Sequence, residues 1–180
     1  IHILGAGSIG MLWAALIRLS FPRYPLKLIV RIKNPEKRRL ICLQSTYCQC
    51  SRPRLVEVPC ERFDANVPIR NLILTTKAYS AKEAFESVRQ RLLPDAHVIL
   101  LCNGALSVAE QLDYTRIHYA LTTHGVYREE EDESTMYSIV HAGYGTTFLE
   151  NYEPMAQLWD GAGLNCRNVE HLHDLLWKKL

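Results

Sequence analysis

Ile1-His2-Ile3-Leu4-Gly5-Ala6-Gly7-Ser8-Ile9-Gly10, continued without a break by Met11-Leu12-Trp13-Ala14-Ala15-Leu16-Ile17, decides the fold of this chain. It reads as a short buried strand, a tight glycine turn and a helix. The glycines stand at G-x-G-x-x-G spacing, and each has a task. Gly5 permits the sharp turn out of the strand, Gly7 leaves the backbone open to a pyrophosphate, and Gly10 lets the helix pack close to the strand. The free N–H groups and positive dipole end of the helix would then face the phosphates. Glycine spacing alone is a weak signal. Here a strand precedes it and an uninterrupted apolar helix follows, which is the context a dinucleotide site needs. The competing reading is a glycine turn that serves only tight packing.

The bulk properties narrow the class. The chain has 180 residues, enough for one full domain with its own core. Its 48% hydrophobic and 22% charged content is that of a soluble globular protein. A net charge of +2 gives no general attraction to nucleic acid or to an acidic membrane. No apolar run is long enough to span a bilayer, and no cleavable signal pattern precedes the first strand. The first residue is not Met, so the expectation is a chain that begins inside a longer product or has lost a leader. Of the six cysteines, Cys42, Cys48, Cys50 and Cys60 crowd together, without a His among them and without the paired knuckles of a zinc site. Reduced thiols and no metal are the expectation. This places the protein in the cytoplasm or an organelle matrix, the mitochondrial one included, rather than outside the cell.

Along the chain, strands and helices alternate. The first helix runs to about Ser20, and Pro22 and Pro25 close it. Leu26–Val30 is the second strand of a β-α-β unit. Leu43–Cys48 and Leu55–Cys60 are two β-rich pieces, a hairpin or an irregular excursion. Leu72–Thr76 is a strongly apolar strand ending on Lys77, and a helix is expected from Ser80, with Glu83 completing a capping box and Pro94 closing it. Val98–Cys102 is another buried strand, Asn103-Gly104 its exit turn, and a short helix covers Ser107–Leu112. This order predicts an α/β, Rossmann-type, doubly wound and mostly parallel sheet. Ile117–Thr123, Met136–His141 and Thr146–Leu149 then follow without long helices, as an antiparallel β-rich extension or edge. The acidic run Glu129–Glu133 is a solvated loop tip. A helix at Pro154–Asp160, a strand near Leu164–Val169 and a helix from Glu170 to Leu180 end the chain. Residues 1–169 thus form one domain, and residues 170–180 form a helix leading out of it. Leu172, Leu175, Leu176 and Leu180 give that helix an apolar face in want of a partner.

The end of the second strand carries the charge signal. An NAD-specific site places a carboxylate there to hold the ribose 2′-hydroxyl. This chain has no Asp or Glu from Ile1 through Pro35. Arg31 stands there instead, with Lys33, Lys37, Arg38 and Arg39 behind it. A guanidinium at that point can fork onto the 2′-phosphate of NADP. The bland alternative, a solvated basic helix start, suits Arg38 and Arg39.

Several separate motifs then line up. Gly5–Gly10, Arg31, Thr75-Thr76-Lys77-Ala78-Tyr79, Cys102-Asn103-Gly104, Thr122-Thr123-His124-Gly125, His141-Ala142-Gly143-Tyr144-Gly145-Thr146 and Leu176-Trp177-Lys178-Lys179-Leu180 occur in order along the chain. In this the chain resembles the ketopantoate reductase (2-dehydropantoate 2-reductase) family. The resemblance implies NADP(H) as cofactor, a small 2-keto acid as substrate and a step in pantothenate biosynthesis. It implies that Gly5, Ala6, Gly7, Ser8, Ile9 and Gly10 hold the pyrophosphate and Arg31 the 2′-phosphate. Lys77 would lie near cofactor and active site, Asn103 would contact cofactor and substrate, and Gly125 and Val126 would lie against the nicotinamide. Lys179 would be the catalytic proton donor, with Lys178 as the competing register.

Without the family pattern, Lys77 and Lys179 read as surface lysines, Asn103 as a turn residue, His124 and His141 as structural histidines and Trp177 as core. The chemistry is coherent, since an alkoxide developing on a reduced ketone needs a nearby proton or cation, and an ammonium supplies either. Members of the family continue into a helical domain after the last motif, and this chain stops at Leu180. The expected partner is therefore such a domain or another subunit. The alternative function is a catalytically inactive Rossmann module kept as a scaffold or as a subunit of a larger complex. Cys102 departs from the family pattern, which has Gln there in many members.

Overall fold

The computed structural model describes residues 1–31, 38–46, 52–129 and 136–178. Lys33, Lys37, Cys48, Cys50, Glu130–Glu133 and Lys179 lie outside the described residues.

The first strand, β1 (His2–Leu4), shows how the layers arise. Alternate side chains of a strand point to opposite faces. Ile3 joins one buried cluster and Leu4 another on the far side. Both faces are therefore covered, as the near-continuous apolar strands required. Helix α1 (Ser8–Ser20) lies on the Ile3 side, buried without interruption from Gly10 to Ile17. A helix this apolar needs neighbours all round. The sheet provides one, and Trp159, at the end of the later helix Glu153–Trp159, provides another, edge-on to Trp13 at 5.7 Å between ring centroids.

Strands β2 (Lys27–Val30), β3 (Arg38–Ser45), β4 (Arg54–Arg62) and β5 (Ile69–Leu74) follow. Helix α2 (Ala78–Val88) crosses on the Leu4 side and a single tight turn leads into β6 (Leu92–Leu100). Then come α3 (Ala105–Gln111), β7 (Ile117–Thr122), β8 (Gly125–Arg128), β9 (Met136–Gly143) and β10 (Thr147–Glu150). The described residues end with α4 (Glu153–Trp159), β11 (Cys166–Val169) and α5 (His173–Lys178). Among the described residues the strands join one sheet in the order β11-β10-β7-β6-β5-β1-β2-β4-β3-β9-β8. From β7 to β4 neighbouring strands are parallel, and helices cover both faces of this block. This is the doubly wound α/β sheet that the alternation predicts.

The β-rich remainder divides between the two edges. β10 turns back antiparallel on β7, while β9 crosses to the far side and pairs parallel with β3. β8 is a strand that the sequence pattern did not mark. Of the two alternatives for the β-rich pieces, the hairpin pairing is the one found: β3 runs antiparallel to β4, with Leu43 opposite Arg54 and Leu40 opposite Glu57. Arg38 and Arg39 begin its first strand and are not a helix start. Arg39 is buried, its guanidinium 4.2 Å from the centre of the Tyr137 ring, so stacking overrode the charge pattern.

Four further expectations are corrected. α2 begins at Ala78, with Lys77 as its N-cap. The Ser80 hydroxyl donates back to the Lys77 carbonyl and does not cap the helix. Pro94 sits inside β6 and closes no helix. Trp177 is 59% exposed and is not core. Its helix face is also only partly unpartnered, because Leu172 and Leu176 are buried in a cluster with Leu121. Leu175 remains exposed beside Trp177.

A buried carboxylate ties the parallel block together. Glu61 of β4 is 7% exposed and receives Lys27 of β2 at 2.9 Å, His2 of β1 at 3.3 Å and the Arg91 guanidinium. Arg91 also donates to the carbonyls of Val67, Arg62 and Phe63. Burial pushes the Glu61 carboxyl up, but the close approach of His2, Arg91 and Lys27 together outweighs it and holds the group at about 2, below its ordinary 4.5. A folded-state value below the unfolded one stabilises at high pH. The contribution is complete above pH 4.5 and is lost as pH falls towards 2. Glu61→Gln is expected to lower stability at pH 7 by about 3 kcal/mol and to flatten the acid limb below pH 4.5, both read by thermal unfolding followed by circular dichroism.

Candidate functional site

The turn between β1 and α1 is shaped by two glycines. Gly5 has φ +121°, a conformation that side chains resist. A Cβ at Gly10 would meet the Gly5 carbonyl oxygen at 1.9 Å. Thr75, just after β5, fastens the turn by donating its hydroxyl to that same carbonyl at 2.8 Å. Gly7 is different in kind, because apart from its own chain neighbours nothing lies within 4 Å of a Cβ built there. The space above it is open. No acidic residue stands in the first turn of α1, and no side chain caps it. The first N–H groups of a helix lack intrahelical acceptors, so this end is electropositive and uncompensated.

A cleft of about 690 Å³ opens at this point, along the C-terminal ends of the parallel strands. Gly7, Ser8 and Ile9 form one wall, and Thr75–Tyr79 and Cys102–Gly104 continue it. Leu121, Thr122, His124 and Val126 come from the β7–β8 region, and Leu176 of α5 reaches the rim. Strands that share a direction end on the same edge, so the loops after β1, β5, β6 and β7 meet there. Lys77 and Asn103 thus enter one cleft although 26 residues separate them. Asn103 is placed by a turn whose next residue, Gly104, has φ +73°.

The expected site residues fall into four groups. Gly7, Ser8, Ile9, Lys77, Asn103 and Val126 line the cleft. Gly5, Ala6 and Gly10 build the turn beneath it, and Gly125 opens β8 next to the lining residue Val126 without lining the cleft itself. Arg31 stands apart at the end of β2, in a shallower hollow of about 350 Å³ with Phe63 and α2. Lys179 lies outside the described residues. Thr75, Tyr79 and His124 belong to the quoted motifs, yet sequence reasoning gave them no place at the site. Their signal was long-range, because Thr75 meets Gly5 across 70 residues.

His124 lines the cleft from behind and pairs with His141. Its Nε2 lies 3.0 Å from the Leu164 carbonyl, an acceptor, so the proton is on Nε2. Its Nδ1 then accepts, at 3.1 Å from the Gly145 N–H and 2.8 Å from His141 Nε2. A proton on Nδ1 would set donor against donor. Burial lowers the His124 ring below its ordinary value, against the Leu164 hydrogen bond. Burial, and then neighbouring His124, brings His141 down to about 4. Burial also pushes the Cys102 thiol up to about 11, so it stays protonated at the cleft wall. Among the described residues no group of three or more His, Cys, Asp or Glu side chains is arranged to hold a metal ion, and no helix is long and apolar enough to cross a membrane.

The family profile described as "Ketopantoate reductase PanE/ApbA" matches residues 1–154. The chain belongs to this family. Solved structures share the fold. The 2-dehydropantoate 2-reductase of Geobacter metallireducens GS-15 superposes with a TM-score of 0.77 at 18% identity, over 99% of this chain and 61% of that one. The PanE/ApbA family ketopantoate reductase of Ralstonia eutropha JMP134 gives 0.77 at 19%, over 99% and 59%. D-mandelate dehydrogenase, in its ternary structure with NADH and anilino(oxo)acetate, gives 0.78 at 16%, over 99% and 59%. The chain therefore spans about three-fifths of the length of these proteins. The family is one of oxidoreductases.

The histidine pair sets a pH dependence. A folded value near 4 against an ordinary 6.5 means that the folded state holds fewer protons than the unfolded state between those limits. The stability due to neutral His141 is complete above pH 6.5 and is lost as pH falls towards 4. Calorimetry should show Tm declining through that window. His141→Gln should start lower at pH 7.5 and decline less steeply.

Proposed function

We propose that this chain is the dinucleotide-binding portion of an NADPH-dependent reductase that converts 2-dehydropantoate (ketopantoate) to pantoate. The observation that carries this reading is the cleft in which the open backbone at Gly7, the uncompensated start of α1, Lys77 and Asn103 meet. The residues present fit a dinucleotide. Gly7, Ser8 and Ile9 offer N–H groups and room for a pyrophosphate. Arg31, one strand away, suits the 2′-phosphate.

The remaining roles follow from donor chemistry. A nicotinamide held in the cleft supplies a hydride to the carbonyl carbon of the substrate. The Asn103 amide can donate to a carboxylate or carbonyl oxygen of a small 2-keto acid, and the Lys77 ammonium supplies positive charge beside it. Val126, with Gly125 next to it, flanks the nicotinamide end. Lys179 is the proton donor, holding at Nζ the proton that the nascent alkoxide takes up. Residues 1–169 act as the dinucleotide domain, and residues 170–180 lead to a C-terminal helical domain or a second subunit. The exposed Leu175 and Trp177 face outward on that segment.

Fluorescence titration with NADPH is the test, with turnover of ketopantoate measured on the full-length protein. Gly10→Ala is expected to weaken NADPH binding by on the order of tenfold to a hundredfold, because the turn must shift by about an ångström. Lys179→Ala is expected to lower kcat by about 10²–10⁴ with the NADPH Kd unchanged. Binding of neither NADPH nor NADH would overturn the assignment and leave the module a scaffold.

A further inference from the structure

The carboxylate that an NAD-type site carries at the end of its second strand is missing here through Pro35, yet the fold delivers one from another element. Glu83, in the second turn of α2, places Oε1 3.4 Å from Arg31 Nη2. α2 follows β5, which lies on the opposite side of β1 from β2, so this meeting depends on the helix crossing beneath the sheet. The Arg31 side chain is 56% exposed and that of Glu83 78%. Burial holds neither in place, and an incoming group can reorganise both. The hollow they share is completed by Phe63, Glu86 and Ser87. Glu86 is turned towards Arg89, at 3.3 Å.

We propose that Glu83 is a specificity-determining residue that offsets Arg31 and narrows the preference for a 2′-phosphorylated dinucleotide over one with a free 2′-hydroxyl. The inference rests on reading Arg31 as the ribose end of the dinucleotide site. A phosphate monoester brings nearly two negative charges to Arg31 and meets the Glu83 carboxylate as a like charge. A 2′-hydroxyl meets the same carboxylate as an acceptor for its proton. One carboxylate therefore disfavours one ligand and favours the other, so a repulsive and an attractive element act together on selectivity. Phe63 and Ser87 carry no charge and do not discriminate. Glu86, compensated by Arg89, contributes less than Glu83.

The test is a pair of fluorescence titrations, NADPH and NADH, on the protein and its Glu83→Gln and Glu86→Gln variants at low ionic strength. Glu83→Gln is expected to tighten NADPH roughly three- to tenfold and to leave NADH unchanged or weaker. Raising the salt to about 0.5 M should shrink that gain. Glu86→Gln should move the ratio of the two Kd values less than about twofold. The role of Glu83 is overturned if its variant leaves the ratio within about twofold of the parent, or if Glu86→Gln shifts the ratio equally. If the unaltered protein binds neither dinucleotide, the dinucleotide reading itself falls, an outcome distinct from an unchanged ratio.

Discussion

The approach of Gly10 to the Gly5 carbonyl is the constraint on which the rest of this structure depends. A single methyl group at Gly10 would stand 1.9 Å from that oxygen. Without one, α1 starts directly against the exit of β1, and Thr75 fixes the same carbonyl from β5. The start of α1 then lies at the sheet edge where the loops after β5, β6 and β7 also end. An electropositive helix end, an ammonium and an amide thus share one cleft because of a steric fact in a single turn.

The polar interior serves this arrangement from below and behind. Glu61 gathers His2, Lys27 and Arg91, and so joins β1, β2 and β4 to the turn that follows α2. The His124–His141 pair anchors the β8–β9 side against the carbonyl of Leu164. Both assemblies bury ionisable groups that hydrogen bonding must satisfy, and each works in one protonation state. They couple the cleft walls to pH without entering the chemistry.

Much of this was legible in the chain. The glycine spacing, the apolar run after it and the recurring buried strands fixed a doubly wound sheet, because local geometry and two-sided burial leave a mark in the sequence. What escaped was non-local. Arg39 reads as a surface charge until Tyr137 arrives from β9 to stack with it. Pro94 reads as a helix stop, yet it lies in the part of β6 that precedes its regular pairing with β5. β8 is too short and too polar on one side to register as a strand. At the site, Lys77 and Asn103 stood out only through the family pattern, while Thr75 and Glu83 needed the fold to show what they touch.

The central claim is that the backbone at the start of α1 is an anion site. The most direct measurement is a titration of the ¹⁵N-labelled protein with NADPH, following the amide resonances of Gly7, Ser8, Ile9 and Gly10. The account predicts that these amides shift most, downfield and together, as N–H groups do on taking a phosphate oxygen. Shifts concentrated elsewhere, with these four unmoved at saturation, would contradict it.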